Sequence, residues 1–114
     1  MNAPDAQPPI RILLVEDRDK DQIALRRALE ASSLAFALAV CDRAEGIPAA
    51  MASADGEIDI VVIDQDLPGV SGLEAYLQMR VQGELPPFVM LTGAGSESLA
   101  VEALKAGIYD YIVK

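Results

Sequence analysis

The fold is indicated first by the stretch Val61-Val62-Ile63-Asp64-Gln65-Asp66-Leu67-Pro68-Gly69, an apolar run that ends on a carboxylate and then a Pro-Gly turn. An unbroken run of β-branched residues is typical of a parallel strand that is covered on both faces. Ligands of open α/β sheets gather at the carboxyl ends of such strands. The stretch therefore predicts a buried strand that carries Asp64 to the functional edge of a sheet.

Apolar strand patterns alternate with helical patterns along the rest of the chain. Strands are predicted at 10–15, 34–40, 58–63, 88–91 and 109–113, and helices at about 19–31, 44–54, 71–81 and 96–106. Asp19 with Gln22, and Ser71 with Glu74, have the spacing of helix-capping pairs. The alternation implies crossover connections, so the predicted fold is a doubly wound α/β domain with a parallel sheet of five strands.

Composition limits the classes of function. The chain has 114 residues, 52% of them hydrophobic, which is enough for the core of one domain. A formal charge of −9 argues against direct binding to nucleic acid or to an anionic membrane, because both require a basic surface. The single cysteine, Cys41, follows apolar residues and is predicted to be a small buried side chain rather than a nucleophile.

The N-terminus lacks the features of an export signal. Residues 1–9 are rich in proline and contain neither a basic start nor an apolar stretch, so we expect a mobile tail before a domain at 10–114. No apolar run approaches the ~20 residues that a bilayer-spanning helix needs. We therefore expect a cytoplasmic protein without a membrane partner.

Polar residues follow the predicted strands at the edge where the carboxyl ends of parallel strands meet. They are Glu16 and Asp17 after the first strand, Asp64 after the third, Thr92 after the fourth and Lys114 after the fifth. Three carboxylates in one pocket repel one another unless a cation is present, and all-oxygen ligation suits Mg²⁺ or Mn²⁺. A lysine and a hydroxyl beside such an ion suit phosphoryl oxygens. Attack by Asp64 on phosphorus would then form an acyl phosphate.

Four segments, in this order and placement, resemble the receiver domains of two-component response regulators over about residues 10–114. The segments are Leu14-Val15-Glu16-Asp17, Val62-Ile63-Asp64-Gln65-Asp66-Leu67-Pro68-Gly69-Val70-Ser71-Gly72, Leu91-Thr92-Gly93-Ala94 and Ala106-Gly107-Ile108-Tyr109-Asp110-Tyr111-Ile112-Val113-Lys114. The resemblance implies the flavodoxin-like strand order 2-1-3-4-5 and a signalling switch rather than a conventional turnover enzyme. Receivers usually continue after the lysine with a proline and a fifth helix, which this sequence does not include. We therefore expect either that the chain is a fragment of something longer or that another surface covers the apolar patch at the last strand.

The resemblance also implies how the acidic residues act. Asp64 accepts a phosphoryl group from a phosphohistidine on a sensor histidine kinase or a histidine phosphotransfer protein. Asp17 and Asp64 bind Mg²⁺ directly, together with the main-chain carbonyl of Asp66, and Glu16 acts mostly through water. Asp66 is an acidic residue at a variable position of the family, where its charge can alter metal affinity and the lifetime of the acyl phosphate.

The remaining roles concern the switch and its partners. By the same resemblance, Lys114 pairs with the phosphoryl group, Thr92 moves its hydroxyl towards it, and the rotamer of Tyr111 follows the threonine. Gly93 leaves room for a phosphodonor or an attacking water. A homodimer and a covalently linked output domain are partners that the resemblance leaves open.

Three alternatives use related features. Asp64-Gln65-Asp66 matches the nucleophile and general acid of haloacid-dehalogenase-type phosphatases, although in those enzymes the motif follows the first strand and the metal-binding acids come late. A flavodoxin-like flavin module needs a hydroxyl- and glycine-rich loop where this chain has Glu16-Asp17, which would repel the flavin phosphate. A degenerate receiver would bind partners without phosphorylation, but all five site residues are present.

Overall fold

The computed structural model describes residues 8–53, 57–93 and 97–114. Its five parallel strands form one sheet in the order β2-β1-β3-β4-β5, so the predicted doubly wound fold and strand order are confirmed. The strands are β1 (Ile10–Val15), β2 (Phe36–Cys41), β3 (Ile60–Asp64), β4 (Phe88–Thr92) and β5 (Asp110–Val113). The helices are α1 (Asp19–Ala31), α2 (Ile47–Ser53), α3 (Gly72–Arg80) and α4 (Glu97–Ala106), with a 3-10 turn at Ala44–Gly46 before α2.

The register aligns the carboxyl ends of the strands at one edge of the sheet. Val15, the last residue of β1, pairs with residues at or next to the ends of both β2 and β3. The pairing continues past the strands, because the Glu16 N–H donates to the Cys41 carbonyl at 2.9 Å and the Lys114 N–H donates to the Thr92 carbonyl at 2.8 Å. The backbone of the residues that follow the strands is therefore fixed by the sheet itself.

Alternating side chains divide the core between the two faces of the sheet. The larger cluster lies under α2, α3 and α4 and contains Leu13, Ile63, Met90, Tyr76 and Ala103, among others. The smaller cluster contains Ile12, Leu14, Val62, Val89 and Leu91, and Leu25 and Leu29 of α1 pack against it.

The strand β5 is the least covered part of the sheet. Ile112 and Val113 are 49% and 51% exposed, whereas all five residues of β4 are buried. Apolar side chains of β5 are therefore in contact with solvent.

The start of α1 differs from the prediction. Asp19 is the first helical residue, Arg18 occupies the N-cap position, and no side chain in the described ranges caps the helix. The predicted capping pair of Asp19 and Gln22 is therefore wrong. Gln22 Nε2 donates instead to the Glu16 carbonyl at 2.7 Å, which ties the first turn of α1 to the acidic loop.

The start of α3 agrees with the prediction, whereas α2 begins at Ile47, three residues after the predicted start, because a 3-10 turn occupies Ala44–Gly46. Ser71 Oγ accepts a hydrogen bond from the Glu74 N–H at 3.2 Å, as the capping box requires. Pro48 lies in the first turn of α2, where its missing N–H has no intrahelical partner to lose.

Three strands begin later than predicted. β2 starts at Phe36 rather than Leu34, β3 at Ile60 rather than Ile58, and β5 at Asp110 rather than Tyr109. For β2 the cause is the register, since Phe36 pairs with Ile10, the first residue of β1. The predicted end of the second helix at residue 54, the predicted start of the fourth helix at residue 96 and residues 1–7 of the predicted tail lie outside the described residues.

The helices are short. The longest, α1, has 13 residues, and α3 and α4 have 9 and 10. Within the described part of the chain, no helix combines the length and apolar character that crossing a bilayer requires.

Candidate functional site

Three polar side chains are buried at the carboxyl edge of the sheet. Glu16, directly after β1, is 0% exposed, while Asp64 at the end of β3 and Thr92 at the end of β4 are each 1% exposed. A buried carboxylate carries a large desolvation cost unless it is paired or binds a metal ion. Their position on three adjacent strands therefore marks this edge as the candidate site.

The three predicted acidic ligands come together here. Carboxylate oxygens of Glu16, Asp17 and Asp64 lie within 4.8 Å of one another, and Asp17 is the exposed member of the group. Neither carboxylate oxygen of Asp64 has a hydrogen-bond partner among the described residues. The buried carboxylate of Asp64 therefore lacks a hydrogen bond within the described part of the chain and lies beside two further carboxylates. Together the three form an all-oxygen donor set, which fits Mg²⁺ or Mn²⁺.

Lys114 brings a positive charge into this cluster. Its Nζ lies 2.8 Å from Glu16 Oε1, 2.7 Å from Asp21 Oδ2 and 3.1 Å from Asp64 Oδ1. The contacts with Glu16 and Asp21 are hydrogen bonds, whereas the contact with Asp64 is an ion pair without hydrogen-bond geometry. One ammonium thus joins the end of β5 to the β1 loop, to α1 and to β3.

Burial and pairing change the acidity of two groups in the site. Burial raises the pKa of Glu16 above its usual range, although hydrogen bonds from Lys114 and from the Arg18 N–H offset part of the increase. Partial burial by itself lowers the pKa of Lys114, but the carboxylates of Asp21, Glu16 and Asp64 outweigh it and raise this pKa. Lys114 therefore stays charged at neutral pH, while Glu16 takes up a proton more readily than a solvated glutamate.

The loop after β3 is closed by Gln65. Its carbonyl accepts the Gly72 N–H at 3.1 Å, and its side-chain Oε1 accepts the Leu73 N–H at 2.9 Å. A Cβ at Gly72 would lie only 2.5 Å from the Asp64 carbonyl oxygen. The start of α3 therefore packs directly against the backbone of Asp64, which requires glycine at this position.

Thr92 and Tyr111 project from the same face of the sheet. Thr92 pairs with Val113, and Tyr111 lies two residues before Val113, which places it on the same side of the strand. Tyr111 is partly buried against the larger core cluster. Lys114 follows Val113 and reaches α1 on the opposite face. The roles of Thr92 and Tyr111 in a switch stay predictions.

Asp66 and Gly93 border the site. Asp66 is exposed, and its carboxylate is outside the metal-ligand group formed by the described residues. Its main-chain carbonyl as a ligand stays a prediction. A Cβ at Gly93 would have no described atom within 4 Å.

Cys41 also lies at this edge, at the end of β2. It is partly buried and packs against the larger core cluster, and burial raises the pKa of its thiol. Because the thiolate is the nucleophilic form of cysteine, this environment agrees with the predicted unreactive side chain.

Sequence reasoning missed Asp21 and Gln65. Asp21 is one of two acidic residues in the first turn of α1, and its pattern is that of a solvent-facing helical residue. Its position could have been inferred from the helix start, because α1 begins directly after the acidic loop and its first turn therefore lies close to the sheet edge. Gln65 follows Asp64 directly, but no residue pattern predicts the two hydrogen bonds that it accepts from the first turn of α3.

Comparisons with known proteins agree with this geometry. Residues 12–114 match the family described as the response regulator receiver domain. Response regulator MprA of Mycobacterium sp. (strain KMS) is 36% identical over 106 residues, which cover 93% of this chain and 44% of that protein. Transcriptional regulatory protein ResD of Bacillus subtilis (strain 168) is 34% identical over 105 residues, which cover 91% of this chain and 41% of that protein. The chain thus spans less than half the length of these relatives.

Solved structures show the same architecture. A putative response regulator from Chloroflexus aurantiacus superposes with a TM-score of 0.80 at 25% identity, covering 94% of this chain and 86% of that one. Full-length FixJ from B. japonicum superposes with a TM-score of 0.76 at 29% identity, covering 91% and 49% of the respective chains. Because the family match runs from β1 through β5 and includes every strand end of the acidic site, the chain belongs to the receiver domain family of two-component response regulators.

Proposed function

We propose that this chain is a phosphorylation-controlled switch in which Asp64 accepts a phosphoryl group from a phosphohistidine. The observation that carries the proposal is the environment of Asp64. Its carboxylate is buried, has no hydrogen-bond partner among the described residues, and lies 3.1 Å from Lys114 Nζ. A buried carboxylate with a purely structural role is normally hydrogen-bonded, so the lack of a hydrogen bond to Asp64 within the described residues favours a chemical role.

In the proposed reaction, a carboxylate oxygen of Asp64 attacks the phosphorus of the phosphohistidine. The P–O bond forms as the P–N bond breaks, and the electron pair of the P–N bond returns to the imidazole nitrogen, which takes a proton from water. Lys114 offsets the negative charge of the phosphoryl oxygens, because its ammonium already lies beside Asp64. Attack of water on phosphorus later releases phosphate and restores the carboxylate.

Asp17 and Asp64 would bind the divalent cation directly in this proposal, together with the Asp66 main-chain carbonyl, and Glu16 would hold it mostly through water. When bound, Mg²⁺ neutralises negative charge on the carboxylates and on the transferred phosphoryl group. The single positive charge of Lys114 is insufficient for this, since it already faces Glu16, Asp21 and Asp64.

The proposed output is a change in the surface formed by α4 and β5. Thr92 ends a fully buried strand next to the strand end that carries Asp64, and in this proposal its hydroxyl turns towards a phosphoryl group on Asp64. Tyr111 projects from the same face and would change rotamer with the threonine. Phosphorylation would then shift the equilibrium between two existing conformations of this surface rather than create a new conformation.

The proposed phosphodonor is a sensor histidine kinase or a histidine phosphotransfer protein in the cytoplasm. The net charge of −9 favours a basic docking surface on that partner. ResD is named a transcriptional regulatory protein and is more than twice as long as the matched segment. We therefore include a covalently linked output domain, or a homodimer, in the proposal as the element that responds to phosphorylation.

Mass spectrometry after incubation with acetyl phosphate tests the proposal. We expect one added phosphoryl group per chain in the presence of Mg²⁺ and none after chelation of divalent cations. Asp64→Asn should abolish the labelling, while Asp66→Asn, a matched change two residues away, should retain it. Unchanged labelling of Asp64→Asn would show that the acceptor is a different residue. Catalytic turnover of a phosphate ester that is lost in both Asp64→Asn and Asp66→Asn would favour the phosphatase instead.

A further inference from the structure

The contact between Asp21 and Lys114 has no part in the function proposed so far. Lys114 Nζ donates to Asp21 Oδ2 at 2.7 Å and to Glu16 Oε1 at 2.8 Å. An ammonium group has three N–H donors. Two of them are engaged by Asp21 and Glu16, which leaves one donor that these two carboxylates do not use. Asp64 Oδ1 lies 3.1 Å from Nζ without hydrogen-bond geometry.

The carboxylate of Asp21 is held by the same helix turn that contacts the acidic loop. Asp21 lies in the first turn of α1, and its neighbour Gln22 donates to the Glu16 carbonyl at 2.7 Å. The side chains of Lys114 and Asp21 are 25% and 31% exposed, so the pair is partly shielded from water. Such shielding strengthens an ion pair relative to one that is fully exposed.

Glu16 alone is not sufficient to hold the Lys114 ammonium in place. Its carboxylate belongs to the cluster that fits a divalent cation, so a bound cation competes with Lys114 for the same oxygens. Asp21 lies outside that cluster among the described residues, and its carboxylate remains available to the ammonium.

We infer that Asp21 is a positioning residue for Lys114, which holds the ammonium at the rim of the site so that its third donor meets a phosphoryl group on Asp64. This inference rests on the proposed function, because it assigns Asp21 a part in binding that phosphoryl group. A lysine side chain loses considerable rotamer freedom when it is fixed. Asp21 imposes that loss before the phosphoryl group arrives, so less of the binding free energy is spent on ordering.

Asp21 also has an opposing effect, since its negative charge repels a phosphoryl group directly. The two effects differ in their dependence on Lys114. Positioning disappears when Lys114 is absent, whereas repulsion persists and becomes stronger without the intervening ammonium. A double-mutant cycle between the two residues therefore separates them.

Isothermal titration with beryllofluoride and Mg²⁺, which mimic an acyl phosphate, tests the inference. Asp21→Asn is compared with Asp19→Asn, a matched loss of one charge in the same helix turn, with Lys114 present and in a Lys114→Gln background. We expect Asp21→Asn to weaken binding about three- to tenfold when Lys114 is present, from the loss of a charge-assisted hydrogen bond. Asp19→Asn should change the affinity for beryllofluoride by less than about twofold. In the Lys114→Gln protein, Asp21→Asn should not weaken binding.

Three results would overturn the inference: stronger binding by Asp21→Asn, an effect equal to that of Asp19→Asn, or an equal weakening with and without Lys114. Failure of the wild-type protein to bind beryllofluoride would refute the proposed function instead. In that case, or if Lys114→Gln abolishes binding, the inference is tested by the free energies of unfolding of the same proteins, measured with urea in Mg²⁺-free buffer. A favourable coupling between Asp21 and Lys114 supports the positioning contact, and a coupling of zero overturns it.

Discussion

Replacement of Gly72 by alanine tests the contact that holds the Asp64 backbone in place. In most helices this change stabilises a protein by about 0.5–1 kcal/mol, because glycine loses more backbone entropy on folding. At Gly72, however, the added Cβ would lie 2.5 Å from the Asp64 carbonyl oxygen, 3.1 Å from the Asp64 carbonyl carbon and 3.1 Å from Gln65 Cα. All three are main-chain atoms, so the clash can be relieved only if α3 or the strand end moves.

The size of the effect follows from these contacts. Overpacking typically costs about 1–3 kcal/mol, and a clash with main-chain atoms places Gly72→Ala in the upper part of that range. After subtraction of the helix gain, we expect the free energy of unfolding to fall by about 1–2 kcal/mol. With a urea m-value of about 1–3 kcal/mol per M, the unfolding midpoint moves down by roughly 0.3–2 M.

Urea unfolding followed by circular dichroism measures this loss. Gly46→Ala is the matched control, because the nearest atom to its Cβ would be Cys41 Cβ at 3.5 Å, an ordinary contact. We expect the control to be at least as stable as the wild type, and Mg²⁺-dependent labelling of Asp64 to fall only in Gly72→Ala. A Gly72→Ala protein as stable as Gly46→Ala would refute the reasoning, since α3 would then not constrain Asp64.

Three further predictions concern charge in the site. Mg²⁺ at ten times its dissociation constant should raise the free energy of unfolding by about 1.4 kcal/mol, and thermal denaturation should show no such increase for Asp17→Asn. Lys114→Gln leaves Glu16 and Asp64 without their cation, so in Mg²⁺-free buffer urea unfolding should show a loss of about 1–2 kcal/mol, less than for a fully buried pair; an unchanged midpoint would contradict the pairing. Burial raises the pKa of Glu16, so the folded protein binds a proton at a pH where the unfolded chain has released it. In Mg²⁺-free buffer, wild-type stability measured against Glu16→Gln should therefore rise as pH falls from neutral towards 4.5, and a decrease would contradict the direction.

The order and type of the elements could be predicted because each has a local cause. The apolar run at 10–15 and the helical pattern at 19–31 have the same bounds in the structure as in the prediction. Local patterns were less reliable at strand starts. Leu34 is apolar enough for a strand, but β1 offers no partner before Ile10, which pairs with Phe36. The extent of β2 is therefore a property of two strands and could not be read from one.

The acidic residues of the candidate site could also be named from the chain, because parallel strands bring their carboxyl ends to one edge whatever the details of packing. The proximity of Glu16, Asp17 and Asp64 follows from this topology. The contacts that hold these residues in place have a different origin. Asp21 and Lys114 are 93 positions apart, and Gly72 meets Asp64 across the whole β3–α3 loop. These two contacts depend on how α1 and α3 pack against the sheet. Side-chain packing determines that arrangement, and no local sequence pattern encodes it.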